Sequence, residues 1–134
     1  MKRILMMLVG LVALLGFAQA SNATSAKAKQ PMAVLIAADW CGNCKLLEPK
    51  LQEASRDFED KIQFVSFDVT DEKAWFKSKQ EAYVLGVPKL LNGKLAVGWV
   101  ALFDRNGNQV GKLMQDMSVQ DMHKALQALA TTQG

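Results

Sequence analysis

Residues 32–45, MAVLIAADWCGNCK, decide the fold. Met32 to Ala38 is a continuous apolar run with β-branched Val34 and Ile36, the pattern of a strand buried on both faces of a helix-covered sheet. The run ends in Asp39-Trp40-Cys41, and the period then changes. Cys44, Leu47, Leu51, Ala54 and Phe58 recur at three or four residues, which is one stripe of an amphipathic helix. The two cysteines therefore stand at a strand-to-helix junction.

That position has a chemical consequence for Cys41. The unpaired backbone N–H groups and the positive dipole end of a helix N-terminus favour a thiolate over a thiol, so Cys41 is the expected nucleophile. The intervening Gly42 and Asn43 let Cys44 sit one turn along, where it can attack a mixed disulfide formed by Cys41 and release the reduced substrate. An inert disulfide and a metal site are the competing readings. A bridge across two residues closes a tiny loop and constrains the unfolded chain little. Zinc asks for four ligands, whereas the chain has 2 cysteines and 1 histidine. Neither a metal nor a cofactor is implied.

Further along, Ile62 to Val69 (IQFVSFDV) reads as a second strand, and Thr70 as the N-cap of a helix running to about Leu85, with Asp71 and Glu72 in its first turn. Gly86 suits its C-terminal cap. Val97 to Phe103 and Gln109 to Met114 flank Asn106-Gly107, a strong hairpin signal. Ser118 with Asp121 resembles a capping box, followed by the apolar stripe Val119, Met122, Ala125, Leu126 and Leu129. The order β-α-β-α-β-β-α predicts an α/β fold, a mixed central sheet with helices on both faces, because parallel neighbours need crossover helices and a hairpin adds an antiparallel edge.

Upstream, Lys2 and Arg3 precede an apolar run from Ile4 to Phe17, and Ala18-Gln19-Ala20 supplies small residues at a cleavage site. Residues 1–20 read as a secretory signal peptide, since 14 apolar residues fall short of the roughly 20 that span a bilayer. No stable membrane insertion is expected after cleavage. Residues 21–30, SNATSAKAKQ, read as a disordered leader, and residues 31–134 as one domain. Without Lys2 and Arg3 the 16 basic residues fall to 14 against 13 acidic, with no basic cluster, so nucleic acid is not an expected partner.

Ala38-Asp39-Trp40-Cys41-Gly42-Asn43-Cys44-Lys45 resembles the W-C-x-x-C-K active site of thioredoxin-like proteins, and Pro49 falls where thioredoxins carry a helix-kinking proline. Pro49 removes the backbone bond to the Lys45 carbonyl and bends the helix beyond its first turn. The A-D-W-C-x-x-C-K string, followed by Phe67-Asp68-Val69-Thr70-Asp71, is similar to the C-terminal periplasmic domain of the transmembrane disulfide reductases of bacteria.

The resemblance implies a thioredoxin-like fold and a periplasmic thiol-disulfide oxidoreductase acting on exported protein thiols and disulfides, with a membrane electron carrier as partner. It implies that Trp40 is a rim residue touching substrate beside Gly42 and Asn43. Two departures stand out. Leu35 occupies the place of the family's buried acid, so the proton of Cys44 must use water or another group. The family's cis-proline, which presents a backbone edge to substrate, has two candidate positions. Val87-Pro88 matches by local sequence, whereas counting back from the hairpin puts Gly98 there, leaves Pro88 to Ala96 as an inserted loop, and makes Val97 and Gly98 the substrate edge. The second alignment is favoured.

Other features are weighed against plainer explanations. Met114, Met117, Met122 and His123 suit copper, yet Met122 belongs to a helix stripe and Met114 ends a strand; the alternative function is a copper-handling binding protein that uses the reduced thiols of Cys41 and Cys44. A non-catalytic chaperone module is a third reading. Asp39 and Asp68, near strand ends, are candidate proton acceptors or solvated turn residues. Lys45 can tune the thiolate only modestly. Trp75 and Phe76 suit core or the wall of a partner groove. Gly42-Asn43 offers no cation beside the thiolate, which favours a reductase or isomerase over a strong oxidant.

Overall fold

The computed structural model describes residues 29–132. The expected signal peptide, residues 1–20, and residues 21–28 of the expected leader lie outside them. Gln30, the last leader residue, donates from its side-chain amide to the Asp60 carbonyl at 2.6 Å. The chain then runs β1 (Met32–Ala37), α1 (Gly42–Ser55), β2 (Gln63–Asp68), α2 (Glu72–Val84), β3 (Trp99–Phe103), β4 (Gln109–Met114) and α3 (Val119–Thr131). Among the described residues no helix is long and apolar enough to cross a membrane.

The four strands lie in the order β2-β1-β3-β4. β1 pairs in parallel with β2, Ala37 opposite Asp68, and antiparallel with β3, Ile36 opposite Trp99. β1 is thus buried between neighbours and between layers, as its unbroken apolar run requires. Its alternate residues serve two cores. Ala33 and Leu35 pack with Leu47 of α1, Val100 and Leu102 of β3, and Met122 and Leu126 of α3. Val34 and Ile36 face the other way, into the cluster with Phe67, Ala82 of α2, Ala101 and Phe103. The sheet is therefore mixed and covered by helices on both faces, α1 with α3 on one and α2 on the other.

Local chemistry fixes the helix ends. Ser118 caps α3: its hydroxyl accepts the Asp121 N–H at 3.1 Å and donates to the Asp121 carboxylate at 2.7 Å, so the carboxylate takes the hydroxyl rather than the Ser118 N–H of the expected capping box. α2 closes on Gly86, with φ of +78°, where Gly86 N–H bonds the Tyr83 carbonyl and Val87 N–H the Ala82 carbonyl, the paired bonds of a Schellman motif. Two expectations need correction. The N-cap of α2 is Asp71, whose carboxylate accepts the Ala74 N–H at 2.8 Å, rather than Thr70, which is engaged elsewhere. The first helix ends at Ser55, and Phe58 is delivered to the core by a 3-10 turn, Arg56–Phe58. Its carbonyl there takes both Lys61 and Ile62 N–H and swings the chain into β2.

Candidate active site

Cys41 is the N-cap of α1: its backbone is extended, and its sulfur accepts the Cys44 N–H at 3.1 Å. Sulfur here does what a Ser or Asp oxygen does at other helix starts, satisfying an orphan N–H at the N3 position. The same bond and the helix dipole stabilise a thiolate once the pair is reduced. Cys41 and Cys44 form a disulfide with Cα atoms 5.3 Å apart. Both are buried, Cys41 at 5% exposure and Cys44 at 2%, so the resolving position is the deeper one.

The wall against the disulfide comes from the entry to β3. Gly98 has φ of +80°, and a Cβ built there would stand 3.2 Å from Cys41 Sγ and 2.8 Å from Asn43 Cβ. A side chain cannot fit, and L residues avoid that backbone region in any case. Gly98 N–H bonds the Ile36 carbonyl at 2.8 Å, which extends the β1–β3 pairing one residue and locks this backbone beside the sulfurs. Of the two candidate edges it is therefore Gly98, preceded by Val97, that meets the disulfide. Pro88 sits instead at the start of a 3-10 helix, Pro88–Leu91, and lines a cavity of about 560 Å³ with Trp99 and Phe103. No peptide bond among the described residues is cis.

The Ile36 carbonyl has a second neighbour, since Cys44 Sγ lies 3.9 Å from it. Leu35, where the family keeps its acid, is buried in the opposite core with Leu47. A cleft of about 170 Å³ also reaches Cys44 and is lined by the carboxylates of Asp39, Glu48 and Asp68 together with Lys45. Its size admits water beside the sulfur.

Thr70 is the residue that sequence reasoning misplaced, and it organises the rim. Its hydroxyl accepts the Asp39 N–H at 2.9 Å and donates to Asp68 at 2.5 Å, and its carbonyl takes the Trp40 indole N–H at 3.1 Å. Asp68 also accepts the Thr70 N–H at 2.9 Å, an Asx turn that the Asp-x-Thr spacing offered as a signal. Donation from the Thr70 hydroxyl, and then from its N–H, holds the Asp68 carboxyl below the usual carboxylate range. Trp40, 63% exposed, is thereby fixed as a platform beside Cys41. Gly42 and Asn43 are both exposed in the first turn of α1.

The metal-suited side chains have structural duties instead. Met122 is fully buried in the α3 core, Met117 Sδ accepts the Met114 N–H at 3.4 Å, and His123 pairs with Asp57 at 3.1 Å. Among the described residues no group of three or more His, Cys, Asp or Glu could hold a metal ion.

This arrangement can be set beside known proteins. The thioredoxin family model matches residues 17–123. The chloroplast thioredoxin-like protein HCF164 of Arabidopsis thaliana is 30% identical over 101 residues, 75% of this chain and 34% of that protein. The thioredoxin of Pseudomonas aeruginosa is 31% identical over 65 residues, 48% of this chain and 57% of that one. The chain thus spans about a third of the chloroplast relative and just over half of the bacterial one. A crystal structure of a thiol:disulfide interchange protein from Chlorobium tepidum superposes with a TM-score of 0.55 at 17% identity, covering 77% of this chain and 81% of that one, a likeness of fold. With most of its length inside the family's bounds, and its cysteine pair at the head of the helix that follows the central strand, this chain belongs to the thioredoxin family and carries a redox-active cysteine pair.

Proposed function

We propose that this chain is an exported, periplasmic thiol-disulfide oxidoreductase that reduces or isomerises protein disulfides and draws its electrons from a membrane carrier. The observation that carries the reading is Cys41 as N-cap of α1, its sulfur accepting the Cys44 N–H. In the reduced protein the Cys41 thiolate attacks one sulfur of a substrate disulfide, forming a mixed disulfide and expelling the other substrate sulfur as thiolate. Cys44 then loses its proton and attacks Cys41 Sγ, which closes the Cys41–Cys44 bond and releases the second substrate thiolate. Two electrons pass from the protein to the substrate.

The surroundings divide labour between the two thiols. Cys41 has the helix terminus; Cys44 has the Ile36 carbonyl, which accepts a hydrogen bond from a thiol and disfavours a thiolate. Cys44 therefore keeps its proton until the mixed disulfide forms, and with Leu35 unable to accept it, the proton leaves through water in the carboxylate-lined cleft. Trp40 and the Val97-Gly98 backbone hold the substrate segment. Gly42 and Asn43 place no cation beside Cys41, which supports the reducing direction.

Export rests on the sequence of residues 1–20. Replacing Cys44 with Ser is expected to abolish multiple-turnover insulin reduction and to leave Cys41 in a stable mixed disulfide, visible by mass spectrometry; unchanged turnover would overturn the mechanism. The potential of the pair in glutathione buffers is expected near or below about −250 mV, and a value near about −120 mV would reverse the assigned direction.

A further inference from the structure

Beneath the inserted loop, on the α2 side of the sheet, lies the cavity of about 560 Å³ that Pro88 opens, and neither cysteine lines it. Its floor is β3, which contributes Trp99 and Phe103, roughly 13 Å apart along one face of the strand. Gln109 of β4 lies beside them. Val87, Pro88 and Leu90 close the cavity from the other side. The Trp99 ring is held by its indole N–H, which the Ala96 carbonyl accepts at 3.1 Å. An enclosure of this volume, walled by apolar side chains with a few polar groups among them, suits a small molecule.

The charged groups around it have one sign. Lys89 and Lys94 line the cavity, and Lys29 stands at its Gly107 end, with Nζ 3.9 Å from the place a Cβ would take on that glycine. No Asp or Glu lines it. The one ion pair among the described residues joins His123 and Asp57, so these three ammonium groups have no carboxylate partner among them. Asp104 lines an adjoining hollow that shares Gly86 and Gly107, but its oxygens accept the Asn106 and Asn108 N–H groups and the Asn108 side-chain amide. That carboxylate serves its own turn. An apolar interior rimmed by unpaired cations complements one ligand chemistry, an apolar body that ends in an anion.

We infer that this cavity is a binding site for a small amphipathic carboxylate, a medium-length alkyl chain with an anionic head. The chain lies along Trp99 and Phe103, and the head meets Lys89 and Lys94. The inference goes beyond the oxidoreductase reading and stands without it, because no step of thiol exchange enters. It also gives the inserted loop a purpose, since that loop supplies Pro88, Leu90 and both lining cations.

The test compares octanoate, octanol and octyltrimethylammonium, which share a straight chain of matched length and differ in the charge of the head. Each is titrated into isotope-labelled, oxidised mature protein, and the backbone amide shifts are followed by NMR. Octanoate is expected to move the amides of Gly86, Leu90, Phe103 and Gln109 saturably, with octanol binding about tenfold more weakly and the cation more weakly still. Replacing both loop lysines, Lys89→Gln with Lys94→Gln, is expected to bring octanoate down to the level of octanol and to leave octanol unchanged. Both side chains are exposed, and retained octanol binding reports that the variant has folded. Absence of saturable shifts, equal affinities for the three heads, or a lysine variant that keeps the preference would overturn the inference. So would shifts centred on the exposed α2 residues Phe76, Tyr83 and Val84. A peptide of alternating Glu and Leu that moves the cavity amides at lower concentration than octanoate would also overturn it, by assigning the cavity to a polypeptide.

Discussion

The two faces of the sheet are built to different standards. On one, α1 and α3 pack against each other over β1, β3 and β4, and Leu47, Leu113, Met122 and Leu126 are fully buried. On the other, α2 is joined only by a short 3-10 turn and an inserted loop, and Phe76, Tyr83 and Val84 stand exposed along it. The difference teaches where stability and recognition reside. The closed face holds the helix that presents the cysteines, while the open face offers surface to whatever those cysteines meet. The disulfide lies on the seam, clustered with the open-face core but mounted on the closed-face helix.

The contrast can be broken most directly by truncating one buried and one exposed side chain. Leu126→Ala on the closed face should cost about 2–5 kcal/mol through lost burial and a residual cavity, whereas Phe76→Ser on the open face should fall within about 0.5 kcal/mol. Urea unfolding of both variants measures this, and similar costs would erase the distinction. At the seam, Gly98→Ala places a methyl where 2.8 Å separates it from Asn43 Cβ, on a backbone with φ of +80°. It should cost about 1–3 kcal/mol and change the rate of thiol exchange at Cys41. An unaltered rate would mean that this wall does not shape the reaction.

The smallest effect belongs to the rim. The Asp68 carboxyl is held low by the Thr70 hydroxyl and N–H, so its contribution to stability is present above the ordinary carboxylate pKa of about 3.9 and is lost as pH falls below that value. Thr70→Val removes the hydroxyl and should move the Asp68 titration upward towards the ordinary value, as followed by NMR. It should also loosen Trp40 without unfolding the closed face. A titration that does not move would show that the Asx turn alone sets the Asp68 environment.

Much of this was legible in residues 32–45, because a strand and a helix with a shared junction announce themselves through period alone, and that junction placed Cys41 at the helix N-terminus. The hairpin and the Ser118 cap were legible for the same reason: their signals lie within a few residues. What the sequence hid is long-range. Thr70 read locally as a helix cap, yet its hydroxyl serves the Asp39 N–H across 31 residues. Counting from the hairpin located Gly98, but only the packed sheet reveals that its missing side chain is the space occupied by Cys41 Sγ and Asn43 Cβ. The mismatch at α1 is of the same kind, since the apolar stripe runs on to Phe58 while the backbone has already tightened to turn into β2.

The distance in sequence between the cysteines and Gly98 also orders events in time. Cys41 and Cys44 are three residues apart and emerge together when the chain is delivered N-terminus first. The glycine that shelters Cys41 Sγ belongs to a strand that can join β1 only after the crossover helix α2 and the inserted loop have passed. Until then β1 has one open edge, and the pair is exposed to any small thiol or oxidant in its compartment. The start of α1 marks out Cys41 through a contact three residues long, whereas the wall that shelters its sulfur depends on the distant β3–β4 hairpin.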